Sequence, residues 1–283
     1  MQARSTDVRP TGGTGGGVLS RLVAAARQRV AKSLMPLQAE LRAAAGRATQ
    51  QPPFQAALKE GIDVGVIAEV KRRSPSQGVL REDLDVGRRV REYEEGGAAA
   101  LSVLTEESEF GGSLADLALA RAHVSANVPL LRKDFHVHPL QLYEAKVAGA
   151  SAALLIARAL GAIGLKTMLN EARALSLECL VEVHTAEELL WAIDQGAQCI
   201  GVNARDLETL VVDPNVVTEL LPRIPRGVCA VAESGIGSRS DEEKLARVGA
   251  DAVLVGSALS RADNPVLAVR ALTGVAREDV RDR

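Results

Sequence analysis

GAAALSVLTE (97–106), GASAALLIAR (149–158), GAQCIGVNAR (196–205) and GADAVLVGSA (249–258) decide how this chain folds. Each opens on Gly-Ala, runs through an apolar strand and ends on polar residues. Their starts lie 52, 47 and 53 residues apart, about two strand-plus-helix units each. Between them fall four more β-branched runs of strand length, Val64 to Val70, Val128 to Leu131, Cys179 to Val183 and Val228 to Ala232. Eight strands alternating with helical stretches under an internal period predict an α/β protein, a single (β/α)8 TIM barrel.

The helices are expected near Asp85 to Glu95, Leu114 to Ser125, Pro139 to Ala148, Gly164 to Ser176, Ala186 to Gln195, Pro214 to Leu220, Asp241 to Val248 and Pro265 to Thr273. Asp85, Thr185, Asp213 and Ser240 sit where an N-cap would satisfy free N–H groups, and Gly96, Gly149, Gly196 and Gly249 where helices end. Ahead of the barrel, Leu19, Leu22, Val23, Ala26, Val30 and Leu34 recur at helical spacing. Pro36 interrupts, a second helical stretch covers Leu37 to Ala48, and Pro52-Pro53 opens a short segment with Phe54, Ala57 and Leu58 on its apolar side. Such an N-terminal helical extension, residues 18–60, fits under or over a barrel mouth. Residues 1–17 carry TGGTGGG and scarcely an apolar side chain, which predicts a disordered tail; residues 18–283 make one barrel domain with its extension.

Composition agrees. A length of 283 residues is ordinary for a barrel, and 47% hydrophobic with 2% aromatic residues demands a core of Val, Leu, Ile and Ala. A net charge of −2 provides no field to gather nucleic acid or an anionic membrane surface. No apolar run reaches the ~20 residues of a membrane span, and no secretory h-region opens the chain, so a cytoplasmic location is expected. Cys179, Cys199 and Cys229 are too far apart for CxxC chemistry and read as buried packing residues.

Catalytic groups in these barrels gather at the C-terminal ends of strands. The first strand offers Glu69 and Lys71, two apart and so on one face; the third offers Lys133, the fifth Glu182, the sixth Asn203 and the seventh Glu233. Singly, each reads as a surface ion pair. Together, on successive odd strands and beyond, they are expensive to aim at one cavity unless they pair or work. Ser234-Gly235 after the seventh strand and Gly256-Ser257 after the eighth lie where barrels hold phosphate on backbone N–H groups, and Ser74 adds a hydroxyl. His136 and His138 form an HxH pair with no third ligand picked out by spacing, so a solvated loop is expected and no metal. Arg72-Arg73 reads as a solvated pair or an attraction for an anionic substrate, and Trp191 as helix packing.

IAEVKRRSPSQG (67–78), LSVLTE (101–106), LLRKDF (130–135), LVEVHT (180–185), GVNARDL (201–207), VAESGI (231–236) and VGSAL (255–259) together resemble indole-3-glycerol phosphate synthase, in that family's order and spacing, over roughly residues 18 to 275. The resemblance implies conversion of 1-(2-carboxyphenylamino)-1-deoxyribulose 5-phosphate to indole-3-glycerol phosphate in tryptophan biosynthesis, with no cofactor. It implies Lys133 as general acid, Glu182 for the proton steps that rearomatise and dehydrate, and Lys71 and Glu69 for carboxylate binding and proton transfer, with the division of proton transfers between Lys71 and Glu182 left open by the family. Asn203, Arg205, Glu233 and Ser234 match further active-site positions, Phe110 and Phe135 the pocket for the aromatic ring, and Ser74, Gly235, Gly256 and Ser257 the phosphate site. A second lysine and partial desolvation are expected to lower the Lys133 pKa. Gly111, Gln77 and His138 depart from residues common in the family: Asn or Gln, Lys, and an acid. The expected partner is the small sugar-phosphate substrate, with no nucleic acid and no membrane; association with tryptophan-pathway enzymes is not predicted by any exposed stripe. Two rivals differ in chemistry: a Schiff-base aldolase using Lys133 or Lys71, and a silent barrel that only binds.

Overall fold

The computed structural model describes residues 17–281, so the tail expected over residues 1–17 lies, save for Gly17, outside the described residues. Eight parallel strands close a barrel: β1 (Gly65–Val70), β2 (Ala100–Leu104), β3 (Leu130–Lys133), β4 (Ala152–Ile156), β5 (Glu178–Val183), β6 (Cys199–Asn203), β7 (Cys229–Glu233) and β8 (Ala252–Val255). Each pairs with the next, and β8 returns to β1 with Gly65 opposite Ala252. Every predicted strand is present.

Period-two alternation sorts the side chains. Ile67, Leu131, Leu154, Leu180, Cys199, Val231 and Ala252 fill the barrel interior. Val66, Leu130, Ala153, Val181, Ile200, Ala230 and Val253 face the helices. Continuing that parity to the strand ends turns Glu69, Lys133, Glu182, Asn203 and Glu233 inward as well. The pleat that buries the core therefore also converges the charges.

The outer layer comprises α4 (Val86–Glu95), α5 (Leu114–His123), α6 (Leu140–Val147), α7 (Ala157–Ala174), α8 (Ala186–Asp194), α9 (Pro214–Leu220), α10 (Arg239–Arg247), α11 (Ser257–Arg261) and α12 (Pro265–Arg270). The four Gly-Ala pairs share one function. Gly97, Gly149, Gly196 and Gly249 take φ of +95°, +88°, +71° and +93°. In each copy the glycine N–H reaches back three residues and the alanine N–H five, as Ala98 to Tyr93 and Ala250 to Leu245. That is the Schellman closure, which needs a left-handed residue to satisfy the last helical carbonyls. In the first copy Gly97 fills this place, not Gly96, which stays helical at φ −69°.

Asp85, Thr185 and Asp213 cap α4, α8 and α9 as expected. α10 starts earlier than expected: Ser238, not Ser240, caps it, in a box with Asp241. α7 also starts early, at Ala157, and bends at Gly161, where φ is +64°. Pro36 does not break the extension. A π turn (Val30–Leu34) and a 3-10 turn (Met35–Leu37) carry α1 (Val18–Arg29) into α2 (Gln38–Arg47), because proline is tolerated in the first turn of a helical segment. The extension reaches both ends of the barrel. Leu19 and Leu22 of α1 lie at the C-terminal mouth, while Phe54 and Leu58 of α3 (Phe54–Leu58) are fully buried against the interior core at the floor. Gly65 permits that closure, since a Cβ there would press on the Leu58 carbonyl at 2.9 Å.

Glu242 on α10 is fully buried with neither carboxylate oxygen hydrogen-bonded. Burial pushes its pKa up to about 8, with Arg239 opposing and Asp63 and Glu243 reinforcing the shift. A carboxyl raised in the folded state holds its proton more tightly there than when unfolded, so its stabilising share is complete at low pH and lost as pH rises towards about 8. Glu242→Gln should therefore be stabilised relative to the parent at pH 9, by about 1–3 kcal/mol, and show little difference at pH 4; thermal unfolding at both values measures this.

Candidate active site

A cavity of about 490 Å³ opens at the C-terminal mouth, and all fourteen residues singled out in the sequence line it: Glu69, Lys71, Ser74, Phe110, Lys133, Phe135, Glu182, Asn203, Arg205, Glu233, Ser234, Gly235, Gly256 and Ser257. Lys133 Nζ lies 2.9 Å from Glu182 Oε2 and 3.2 Å from Glu233 Oε2. Asn203 Nδ2 donates to Glu182 Oε1 at 2.9 Å, so both Glu182 oxygens are engaged. Across the barrel Lys71 Nζ pairs with Glu69 Oε1 at 2.7 Å. The Phe110 and Phe135 rings sit 6.3 Å apart, tilted by 39°, and make an apolar wall with Val18, Leu19 and Leu22 of α1.

The two carboxyls nearest Lys133 are driven apart. Burial raises Glu182, but Lys133 and the hydrogen bond from Asn203 outweigh it and leave its pKa below the ordinary carboxylate value. Burial pushes Glu233 up to about 8; Lys133 opposes this, while Glu182 and Glu69 add to it. Its Oε1 has no hydrogen-bond partner. The two carboxyls are thus pushed in opposite directions, Glu182 towards its carboxylate and Glu233 towards its acid form. Lys133 itself runs against expectation. Burial alone would lower its pKa, but Glu182, Glu233 and Glu69 surround it and raise it well above the ordinary lysine value; carboxylates, not a second lysine, are its nearest ionic partners.

Two glycines make room for these groups. A Cβ on Gly201 of β6 would collide with Glu233 Oε1. One on Gly256 would collide with Glu69 Oε1 and come within 2.7 Å of Lys71 Nζ. The sequence points to Gly256 for phosphate and does not mark Gly201, because a glycine inside a strand carries no signal of what fills the space beside it. Ser234 and Gly235 both have positive φ, +68° and +75°, a costly conformation for serine that recurs at functional sites. The Ser74 hydroxyl is buried without a partner.

On the outer face of β3, Arg132 is 1% exposed and meets Asp134 Oδ2 and Glu144 Oε2, each at 2.8 Å. Arg29 of α1 completes the set through both Glu144 oxygens. His136 is not in a solvated loop: it is buried, with Nδ1 2.8 Å from the Leu154 carbonyl, and burial next to Arg132 lowers its pKa to about 4. Among the described residues no cluster of three or more His, Cys, Asp or Glu is poised to hold a metal. Arg72 and Arg73 are not a free solvated pair. Arg72 forks onto Asp116 and Arg73 donates to the Glu107 and Ser108 carbonyls. Cys199 and Cys229 are buried in register on β6 and β7, Cys179 is half-buried, and Trp191 packs on the helix-facing core.

The three departures are accommodated locally. Gly111 takes φ +64° and offers its carbonyl to Arg72 at 3.1 Å. His138 Nδ1 accepts from the Leu140 N–H at 3.2 Å, as an acidic cap would. Gln77 Oε1 accepts from Arg261 at 2.9 Å.

Fold and site thus define a (β/α)8-barrel enzyme with lysine and carboxyl groups gathered in one cavity at the strand ends. The family model for indole-3-glycerol phosphate synthase matches residues 19–272. Curated proteins of that name are 51% identical over 74% of this chain and 77% of the relative in Saccharopolyspora erythraea. The Kineococcus radiotolerans relative is 46% identical over 89% and 93%. The chain belongs to the indole-3-glycerol phosphate synthase family. Solved structures share the fold at lower identity. A mutant tryptophan synthase α-subunit from Pyrococcus furiosus matches with TM-score 0.57, 18% identity, and coverage of 75% of this chain and 98% of that one. The 3-hexulose-6-phosphate synthase of Salmonella typhimurium matches with TM-score 0.59, 12% identity, and coverage of 74% and 96%.

Gly201→Ala adds one methyl group where Glu233 Oε1 now lies. It should lower kcat by about 10- to 100-fold through displacement of Glu233, while circular dichroism shows an unchanged barrel.

Proposed function

We propose that these residues divide among themselves the family's reaction, closure of 1-(2-carboxyphenylamino)-1-deoxyribulose 5-phosphate to indole-3-glycerol phosphate with loss of carbon dioxide and water. The observation that carries the assignment is Lys133 Nζ held between Glu182 and Glu233. In the first step the ring carbon bearing the carboxylate attacks the ribulose ketone carbon, and negative charge moves onto the ketone oxygen. A lysine kept cationic by three carboxyl groups stabilises that charge as it forms. Its raised pKa does not disqualify it as the acid, because the alkoxide it protonates is more basic than an amine. The carbon–carboxylate bond then breaks, carbon dioxide leaves, and its electron pair restores the aromatic ring.

Dehydration follows. Glu182, the ionised carboxylate, takes the proton from the methylene carbon next to nitrogen, and the hydroxyl leaves as water with a proton returned to it from the lysine–carboxyl set. Asn203 orients Glu182. Glu69 and Lys71 bind the substrate carboxylate and support proton transfer, Arg205 and Ser234 hold the polar chain, and Phe110 and Phe135 bracket the aromatic ring. Ser74, Gly235, Gly256 and Ser257 take the phosphate through hydroxyl and backbone N–H donors. Residues 18–283 act as one domain including the extension 18–60, and the cytoplasm is the proposed location. Among the described residues no helix is long and apolar enough to cross a membrane.

Indole-3-glycerol phosphate fluorescence from purified protein and substrate, without added metal or nucleotide, tests the reaction. Lys133→Ala should lower kcat by about 10²–10⁴-fold, and borohydride with substrate should trap no lysine adduct; a trapped adduct would establish the aldolase chemistry instead. The pH dependence follows from Glu233, which is a neutral acid below about 8 and ionises above it. kcat/KM should fall as pH rises through that value, and Glu233→Gln should flatten this alkaline limb. Glu182, held low, places the acidic limb below the ordinary carboxylate range.

A further inference from the structure

Most of the cavity's lysine charge is already spent. Lys71 is paired with Glu69, and Lys133 with Glu182. Among the described residues, two cavity-lining cations have no carboxylate within ion-pair distance: Arg205, whose Nη1 donates to the Leu210 carbonyl, and Arg261. Arg261 closes α11, four residues after Ser257. Residues four apart share a helix face, and each side chain leans towards the helix start. Arg261 is exposed, and it lines the same cavity as Ser257.

Its present partner is informative. Arg261 Nη2 donates to Gln77 Oε1 at 2.9 Å. Gln77 ends the turn begun by Ser74, whose carbonyl accepts the Gln77 N–H at 3.3 Å; the turn is the tip of a two-stranded hairpin pairing Arg73–Ser74 with Gly78–Val79. At the start of the turn the Ser74 hydroxyl is buried, lines the cavity and lacks a partner. One guanidinium thus links α11 to the turn that presents an unused donor to the same end of the cavity.

We propose that Arg261 is a specificity-determining residue for the substrate's phosphate: it supplies the charge that the neutral donors around it lack, and through Gln77 it holds the Ser74 turn against the anion. This rests on the reading of Ser74, Gly235, Gly256 and Ser257 as the phosphate end. A guanidinium has five N–H donors, so bonding to Gln77 leaves the others for phosphate oxygens. A phosphorylated substrate is thereby favoured over its dephosphorylated counterpart by an ion pair as well as by hydrogen bonds.

The test is steady-state kinetics with inorganic phosphate as a competitive inhibitor. Arg261→Gln should raise both the substrate KM and the inhibition constant for phosphate by about tenfold, with kcat changed less than twofold. Arg261→Lys should recover most of the loss, because the charge returns. Ser257→Asp, which sets a negative charge at the phosphate end, serves as the control. If Ser257→Asp abolishes phosphate inhibition and Arg261→Gln leaves it unchanged, the phosphate reading stands and the role of Arg261 is overturned. If neither variant alters phosphate inhibition, both fall. A kcat loss in Arg261→Gln with unchanged KM and phosphate inhibition, or a lysine variant no better than glutamine, also overturns the proposal.

Discussion

The contact between Lys133 and the two carboxyl groups at 2.9 and 3.2 Å constrains everything around it. An ammonium and neighbouring carboxyls taken out of water are tolerable only with close geometry and with their remaining hydrogen-bonding capacity largely satisfied. The barrel provides the geometry: three inward positions on β3, β5 and β7 meet because alternate strands place their last inward residues in one layer. Asn203 occupies the free oxygen of Glu182. Glu233 is not fully satisfied, and its raised pKa is the physical response, a neutral acid being cheaper to bury than a second carboxylate.

Lys133 is held from behind as well. Its neighbours Arg132 and Asp134 point outward and are locked into a cluster with Thr105, Glu144 and Arg29. Arg132 draws Asp134 down to about 2, against the upward pull of burial. Thr105 further ties the strand end by donating its N–H to the Lys133 carbonyl at 3.0 Å. Arg29 belongs to α1, the helix whose Leu19 and Leu22 wall the cavity, so the extension both lines the cavity and braces the strand that carries the lysine. α3 meanwhile seals the opposite end. The extension is structurally continuous with the site for this reason, although its sequence carries none of the polar strand-end residues.

Legibility followed physical range. The eight strands could be read because a period-two core and a left-handed helix terminator both leave residue-level marks, and Gly-Ala recurs at four of those terminators. The inward-facing charges could be read because strand parity fixes direction. Most of what escaped was set by neighbours distant in sequence. The exception is the cap of α10, where Ser238 is chosen over Ser240 locally because Asp241, three residues on, completes its box. His136 looks like a loop residue until Leu154 on β4 supplies its partner and buries it. The direction of the Lys133 shift differs from the sequence expectation for the same cause: two lysines are visible at strand ends, but their relative proximity to Glu182, Glu233 and Glu69 is a property of barrel closure. Gly201 makes the point most sharply, since its contribution is an absent methyl group beside a side chain thirty-two residues away in sequence.

Proton balance in the proposed chemistry ties these electrostatics together. Carbon dioxide departs from a carboxylate and leaves its electron pair behind, so the alkoxide formed in ring closure must take a proton that the substrate does not return at that step. Dehydration releases one proton from carbon and places a proton on the leaving hydroxyl, which is neutral overall. Each turnover therefore draws one proton from solvent. A site built only of a carboxylate and an ammonium would have to reload its lysine directly. In that proposed chemistry Glu233, pushed towards its acid form by burial and 3.2 Å from Lys133, is the reservoir beside the proposed proton donor. The unsatisfied burial that makes Glu233 costly to the fold is what keeps that reservoir filled.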